Sequence, residues 1–309
     1  MIKKLGCYFV LLCALYACNT KSTNENKGNG TLEYDSPEFS DKFNSYIALT
    51  NYYKSSDKGS SWHETLNKLD EQLGNTANNN LKKENLFLGN FMWGIDKTVK
   101  VAIANAPKSP ALAEADKNVV AFGKEVISAS STLQQLESYY KGKNYLDDKY
   151  VKAAMLYQEF AKKQLKLDSL FITLAKSMAG IKENRDTYFI ERYKKEDRLV
   201  RYHMLLSMRY AKAAYTELAD DTIGDKFKMN YDKLAISVDE LNKYASDDAA
   251  LAKSGITLKS TFGNYLNYLT SIKGNFRLLM DSKDSAKRVE IMKKVDADFE
   301  EMIDDYNRL

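Results

Sequence analysis

Cysteine, proline and histidine are scarce in this chain of 309 residues, and each scarcity excludes something. The three cysteines, Cys7, Cys13 and Cys18, all fall in the first eighteen residues. Beyond them there is no thiol for a disulfide, a zinc–thiolate site, an iron–sulfur cluster or a cysteine nucleophile. The two histidines, His63 and His203, are far apart, which excludes an HExxH zinc site. Proline occurs at 37, 107 and 110 only, so residues 111–309 contain no helix breaker of that kind. Charge of one sign is also missing. Against 46 Lys and Arg stand 42 Asp and Glu, giving a net charge of +4. That balance makes no electrostatic case for nucleic acid, and no polybasic segment marks a membrane surface. There is no Gly-x-Ser-x-Gly elbow and no phosphate-cradling glycine loop, because Lys27-Gly28-Asn29-Gly30 sits in a polar stretch.

The one sustained apolar run is Leu5 to Ala17, too short to span a bilayer as a helix. Lys3 and Lys4 precede it, and Leu15-Tyr16-Ala17 leads into Cys18. This pattern reads as a bacterial lipoprotein signal over residues 1–17, with cleavage before Cys18 and lipidation of its thiol. A plain secretory signal cut nearby is the alternative, and Tyr16, bulky where a small residue is usual, is the position in its favour. Residues 18–35 (CNTKSTNENKGNGTLEYD) offer almost nothing to bury and read as a tether. Asn19 is not the aspartate that retains enteric lipoproteins in the inner membrane. The expected location is the cell envelope, lipid-anchored at the outer membrane and facing the periplasm.

Residues 36–309 read as one all-helical domain. Ser36-Pro37-Glu38 is a helix start, with a capping hydroxyl, proline in the first turn and an acid at the positive end. Phe39, Phe43, Tyr46, Ile47 and Leu49 follow as an amphipathic stripe. Further helices are expected over about 61–73, 81–105 and 111–141. The one over 81–105 carries Leu86, Phe87, Phe91, Met92, Trp93 and Ile95. Behind Asp147-Asp148 comes the most regular segment of the chain. Tyr150, Ala153, Tyr157, Phe160, Gln164, Leu167, Phe171, Leu174, Met178 and Ile181 alternate steps of three and four. That is a coiled-coil-like seam about 48 Å long at ~1.5 Å per residue. Gln164 is its one polar member, read as a register device whose replacement by leucine is neutral or stabilising. The charged residues 182–198 suggest an elbow or a projecting end. Leu199, Tyr202, Leu206 and Ala213 form a second seam, and helices over about 225–245, 257–281 and 285–308 complete an all-α, extended bundle of long antiparallel helices.

Three stretches together resemble the YiiG-like family of bacterial lipoproteins: Lys42-Phe43-Asn44-Ser45-Tyr46-Ile47, residues 145–178, and Arg201-Tyr202-His203-Met204-Leu205. The resemblance covers roughly 38–309 and implies an all-helical fold and a lipid anchor. It implies no catalytic or binding residue, since the family is a domain of unknown function.

The chemistry-bearing residues are few. His63 and Glu64 are neighbours, and adjacent helical residues point about 100° apart, so they do not readily share a ligand. His203 borders the second seam, either as a hydrogen-bonded interior histidine or as a pH-sensitive one. Asp220 to Asp225 resembles a calcium loop, but its twelfth position is Tyr231 rather than glutamate. Asp296, Glu300 and Asp304, beside Glu301 and Asp305, stack on one helix, either as a divalent-cation site or as a solvated face. The resulting expectation is no catalytic, cofactor or metal residue, and lipidation at Cys18. Partners are expected to be the membrane, through the N-terminal lipid, and another protein, through a helical surface. The leading reading is an interaction or scaffolding module of the envelope rather than an enzyme. A small-molecule or glycan-binding lipoprotein associated with transport is the alternative.

Overall fold

A computed structural model describes residues 33–54, 61–73, 81–89, 91–220 and 223–309. The signal 1–17, Cys18 and nearly all of the tether lie outside the described residues. Among those described there is no strand, and the protein is all-α. No described helix is long and apolar enough to cross a membrane. The chain divides into two compact units at the Ile181–Lys182 boundary.

In the first unit α1 is Pro37–Lys54 and α2 is Trp62–Leu73. Both open on serine caps: Ser36 Oγ accepts from the Phe39 amide and Ser61 Oγ from the Glu64 amide, each at 3.1 Å. The third helix, α3, joins Phe91–Gly94, a π-helical turn Ile95–Val99 and Lys100–Asn105. Helix α4 is Ala113–Lys141, α5 the short turn Tyr145–Asp148, and α6 the long helix Val151–Lys195. The pairings of Asn118 with Ser177, Glu125 with Lys166 and Thr132 with Glu159 make α4 and α6 antiparallel. Where α3 crosses α4 the helices nearly touch: a Cβ on Gly123 would lie 2.8 Å from Ile103 Cδ1.

Helix α6 reproduces the three-four seam. Ala153, Tyr157, Phe160, Leu167, Phe171, Leu174 and Met178 are buried, with Tyr150 and Ile181 packed at the edge of the core. Asp148 caps it by accepting from the amides of Tyr150 and Lys152 at 3.0 Å. Of the charged residues 182–198, read as an elbow or a projecting end, those up to Lys195 continue α6 without a break, and the turn comes only after them. Ion pairs one turn apart, Lys182–Asp186 and Arg192–Glu196, stabilise that charged stretch as helix. The chain turns at Asp197, whose φ is +54°.

The expected helix over 81–105 is also corrected. Residues 81–89 are not helical, and helix begins only at Phe91. Leu86 and Leu88 point inward and Phe87 outward, a period of two. Side chains satisfy this backbone: Gln72 takes the Phe87 amide (2.8 Å) and donates to its carbonyl (2.5 Å), and Glu137 accepts from the Leu88 amide (3.0 Å). The apolar residues fit either period, and only these distant donors and acceptors decide between them.

Among its described residues the second unit contains residues 182–195 of α6 and five further helices. Helix α7 is Leu199–Thr216, leading through a 3-10 turn at Glu217–Asp220 toward α8, Asp225–Lys243. The short α9 is Asp248–Lys253, α10 is Lys259–Asp281 and α11 is Ser285–Arg308. Helices α10 and α11 form an antiparallel hairpin, with Tyr265 beside Tyr306 and Asn275 bonded to Asp298. Phe227, Leu234, Phe262, Tyr265, Leu269 and Phe276 fill the core. The second seam is shifted in phase. The buried line on α7 is Val200, Met204, Ser207, Ala211 and Ala214, whereas Leu199, Tyr202, Leu206 and Ala213 are only half-buried. Small residues mark this contact because helices approach closely there, so counting large apolar side chains picks the wrong face.

Candidate functional site

Polar groups converge at several places, and the first is built around Lys42. It lies in phase with Phe39, Tyr46 and Leu49 on the buried face of α1 and is 2% exposed. Its ammonium donates to the carbonyl oxygens of Ala106 (2.9 Å), Lys108 (2.6 Å) and Pro110 (2.9 Å). It also meets the Asp116 carboxylate at 2.9 to 3.0 Å. Asp116 in turn accepts from Tyr46 Oη (2.5 Å) and the Leu112 amide (2.8 Å). Burial, then the bond to Asp116, raises the Tyr46 phenol far above its ordinary value. One cation thus holds the α3–α4 connection against α1. A lysine in register with an apolar stripe was the available sequence signal for it.

The second cluster centres on Gln164. Its Oε1 accepts from the Trp62 indole at 2.9 Å, and its Nε2 donates to Tyr53 Oη (2.8 Å) and to Asp168 (3.0 Å). Tyr53 Oη donates to Asp168 at 2.7 Å. The rings of Tyr53, Trp62, Phe122, Phe160 and Phe171 pack around this chain of bonds. Gln164 therefore ties α6 to α1 and α2, and its side chain is occupied on both sides. Leucine at 164 would orphan the fully buried indole N–H, which reverses the expectation of a neutral or stabilising change.

In the second unit, guanidinium groups bind backbone. Arg198 and Arg201 both donate to the Ser254 carbonyl, at 3.0 and 3.3 Å, and Arg201 also donates to that of Leu309. Arg209 pairs with Glu183 at 3.0 Å. His203 is half-buried, with Glu240 and Lys243 of α8 as its charged neighbours, and burial holds its imidazole below the ordinary value. The unfolded chain then binds the proton more readily. Stability should accordingly rise with pH through the window up to about 6.5 and fall as pH drops through it. Replacing His203 with phenylalanine should flatten the dependence of unfolding free energy on pH between about 5 and 7. An unchanged slope would refute the assignment.

The acidic face of α11 does not assemble. Asp296 accepts from Tyr215 Oη at 2.5 Å, Asp305 pairs with Arg308, and Glu300 and Asp304 are exposed. Among the described residues no three His, Cys, Asp or Glu side chains are placed to hold a metal ion. His63 is half-buried at the start of α2, where Trp62 points into the core and Glu64 pairs with Lys68. The loop Asp220 to Asp225 lies partly outside the described residues.

A shallow, open concavity lies at the α4–α6 hairpin tip. A cleft of about 390 Å³ is lined by Ser131, Gln134, Gln135, Ser138, Asn144 and Lys152, with the largely buried Tyr139 beneath. Tyr139 Oη donates to Asp148, and that bond holds the carboxyl below its usual range. Sequence reasoning missed this cleft, because its walls come from a helix face, a turn and the next helix.

A family model described as "Protein of unknown function (DUF3829)" matches residues 37–308. The Escherichia coli K12 protein named "Uncharacterized protein YiiG" is 25% identical over 232 residues, 69% of this chain and 62% of its own length. The chain thus spans less than two thirds of that relative. No solved structure matches.

Proposed function

We propose, for a chain that belongs to the DUF3829 family of proteins of unknown function, a lipid-anchored envelope protein that works by contact rather than by turnover. The anchor is Cys18, and the domain faces the periplasm from the outer membrane. The observation that carries the reading is the use made of the convergent polar groups. Lys42, Asp116 and Tyr46 bond one another and the α3–α4 connection, and Tyr53, Gln164, Asp168 and Trp62 bond one another across three helices. These side chains act in holding helices together, leaving the exterior of the bundle for interaction or scaffolding. A second reading, capture of a small polar molecule or glycan, draws on the cleft at the hairpin tip.

The anchor is tested by replacing Cys18 with serine. Incorporation of labelled fatty acid should be lost, and after a high-salt wash the protein should move from the membrane to the soluble fraction. More than one acyl chain is needed for stable attachment, at about 0.8 kcal/mol per buried CH₂. Full labelling of the serine variant would overturn the assignment.

A further inference from the structure

The α4–α6 tip combines features that packing inside the fold does not use. Leu146 is 71% exposed, Val151 60% and Met155 66%. Three large apolar side chains thus stand in water within ten residues of one turn. Val151 and Met155 lie one helical turn apart on the same face of α6. Around them Lys141, Lys143, Lys149 and Lys152 are all exposed. None of the four ammonium groups has a carboxylate within ion-pair distance among the described residues. Of the two acids in the turn, Asp148 is bonded to Tyr139 and to the amides of Tyr150 and Lys152. Asp147 and Glu84, whose charge reaches Tyr150, offset part of this positive charge, and Asp148 acts on Lys152. Lys143 and Lys149 occupy left-handed backbone, with φ of +53° and +52°, where glycine or asparagine is the ordinary choice. Behind the prongs the stacked rings of Tyr145 and Tyr150, 5.0 Å apart, brace the turn. The cleft adjoins it, lined by hydroxyl and amide groups and by Lys152, with no carboxylate among its walls.

We propose that this tip is a membrane-contact site for an anionic phospholipid surface. Leu146, Val151 and Met155 enter the interface, the four lysines meet lipid phosphates, and the cleft accepts a headgroup. The charge complementarity is specific to such a partner. Apolar prongs ringed by cations are what an interfacial segment presents to acidic lipid. An acidic protein surface would use the lysines but gains little from three prongs aimed outward. The lysines are spread along the sequence, and the turn gathers them, so no polybasic run announces the site. The contact is independent of acylation at Cys18, and the two fail separately.

The test follows local insertion rather than bulk binding. In a chain with Cys7, Cys13 and Cys18 replaced by serine, a polarity-sensitive dye is attached at Leu146→Cys, and in a second protein at Leu278→Cys. Residue 278 is an exposed apolar position of the other unit. Added phosphatidylglycerol-containing vesicles should shift the dye at 146 to the blue, at low salt, and leave the dye at 278 unchanged. Pure phosphatidylcholine vesicles should produce little shift. Lys143→Gln and Lys149→Gln should each lower the partition coefficient about fivefold, the effect of roughly 1 kcal/mol per basic residue near the surface. Circular dichroism confirms that each variant is folded. Three outcomes would overturn the proposal. The dye at 146 stays in water on every vesicle; it shifts equally on neutral lipid and is indifferent to the lysines; or it shifts only with an acidic polypeptide, which would make the tip a protein contact.

Discussion

Replacing Lys42 with methionine should lower the free energy of unfolding by about 3–5 kcal/mol, the range for breaking one partner out of a buried ion pair. The ammonium is the common donor to three carbonyl oxygens and to Asp116, and it is almost fully removed from water. Methionine fills much of the volume but donates nothing. Three carbonyls of the α3–α4 connection then face one another unsatisfied, beside a carboxylate that has lost its counter-charge. Lys117 is the control. It is 75% exposed and pairs one turn away with Glu114, so Lys117→Ala should shift stability by about 0.5 kcal/mol or less. Urea midpoints for the two variants are the measurement. A loss under about 1 kcal/mol for Lys42→Met would mean that water reaches the connection and replaces the ammonium.

Phe160→Ala and Phe171→Ala should each cost about 3–5 kcal/mol, the sum of lost transfer energy and a cavity that aromatic neighbours cannot close. Both rings are nearly buried, Phe160 against Trp62 and Phe171 against Tyr53 and Phe122. Gln164→Leu belongs in the same series, with an expected loss of about 1–3 kcal/mol from the orphaned Trp62 N–H. Seam logic alone gives the opposite sign, because a lone polar residue in an apolar line usually trades stability for register. Lys166 lies off the seam, 63% exposed and paired with Glu125, so its alanine variant should cost about 1 kcal/mol or less. The expected order is therefore either phenylalanine first, then Gln164, then Lys166. A larger loss at Lys166 than at Phe160 would show that the helical phase of α6 is wrong.

Local rules decided much of this fold. The steps of three and four from Tyr150 to Ile181 specify a helix and its buried face, because both follow from 3.6 residues per turn. Ser36-Pro37-Glu38 marks the start of α1 because an orphan amide needs the serine oxygen. The stretches around Lys42, 145–178 and Arg201 likewise pointed to the family that the whole-domain match shows. The scarcity of cysteine and the run ahead of Cys18 carry the lipoprotein reading, and they do so without help from the fold.

Tertiary structure decided what depends on partners distant in sequence. Residues 81–89 stay out of helix because Gln72 and Glu137 satisfy their backbone, and a window centred on Leu86 contains neither. The buried face of α7 follows small residues, since the closeness of a neighbouring helix sets it. Lys42 is an internal cation only because Ala106, Lys108, Pro110 and Asp116 close around it from beyond position 100. The hairpin tip has the same origin. Its lysines and exposed apolar residues are ordinary surface composition when read in line, and a short turn between two antiparallel helices brings them onto one end. Sequence determines which segments can be helices and which face each would bury. The assembled helices determine where a polar side chain finds its partner, because hydrogen bonds and desolvation act through space.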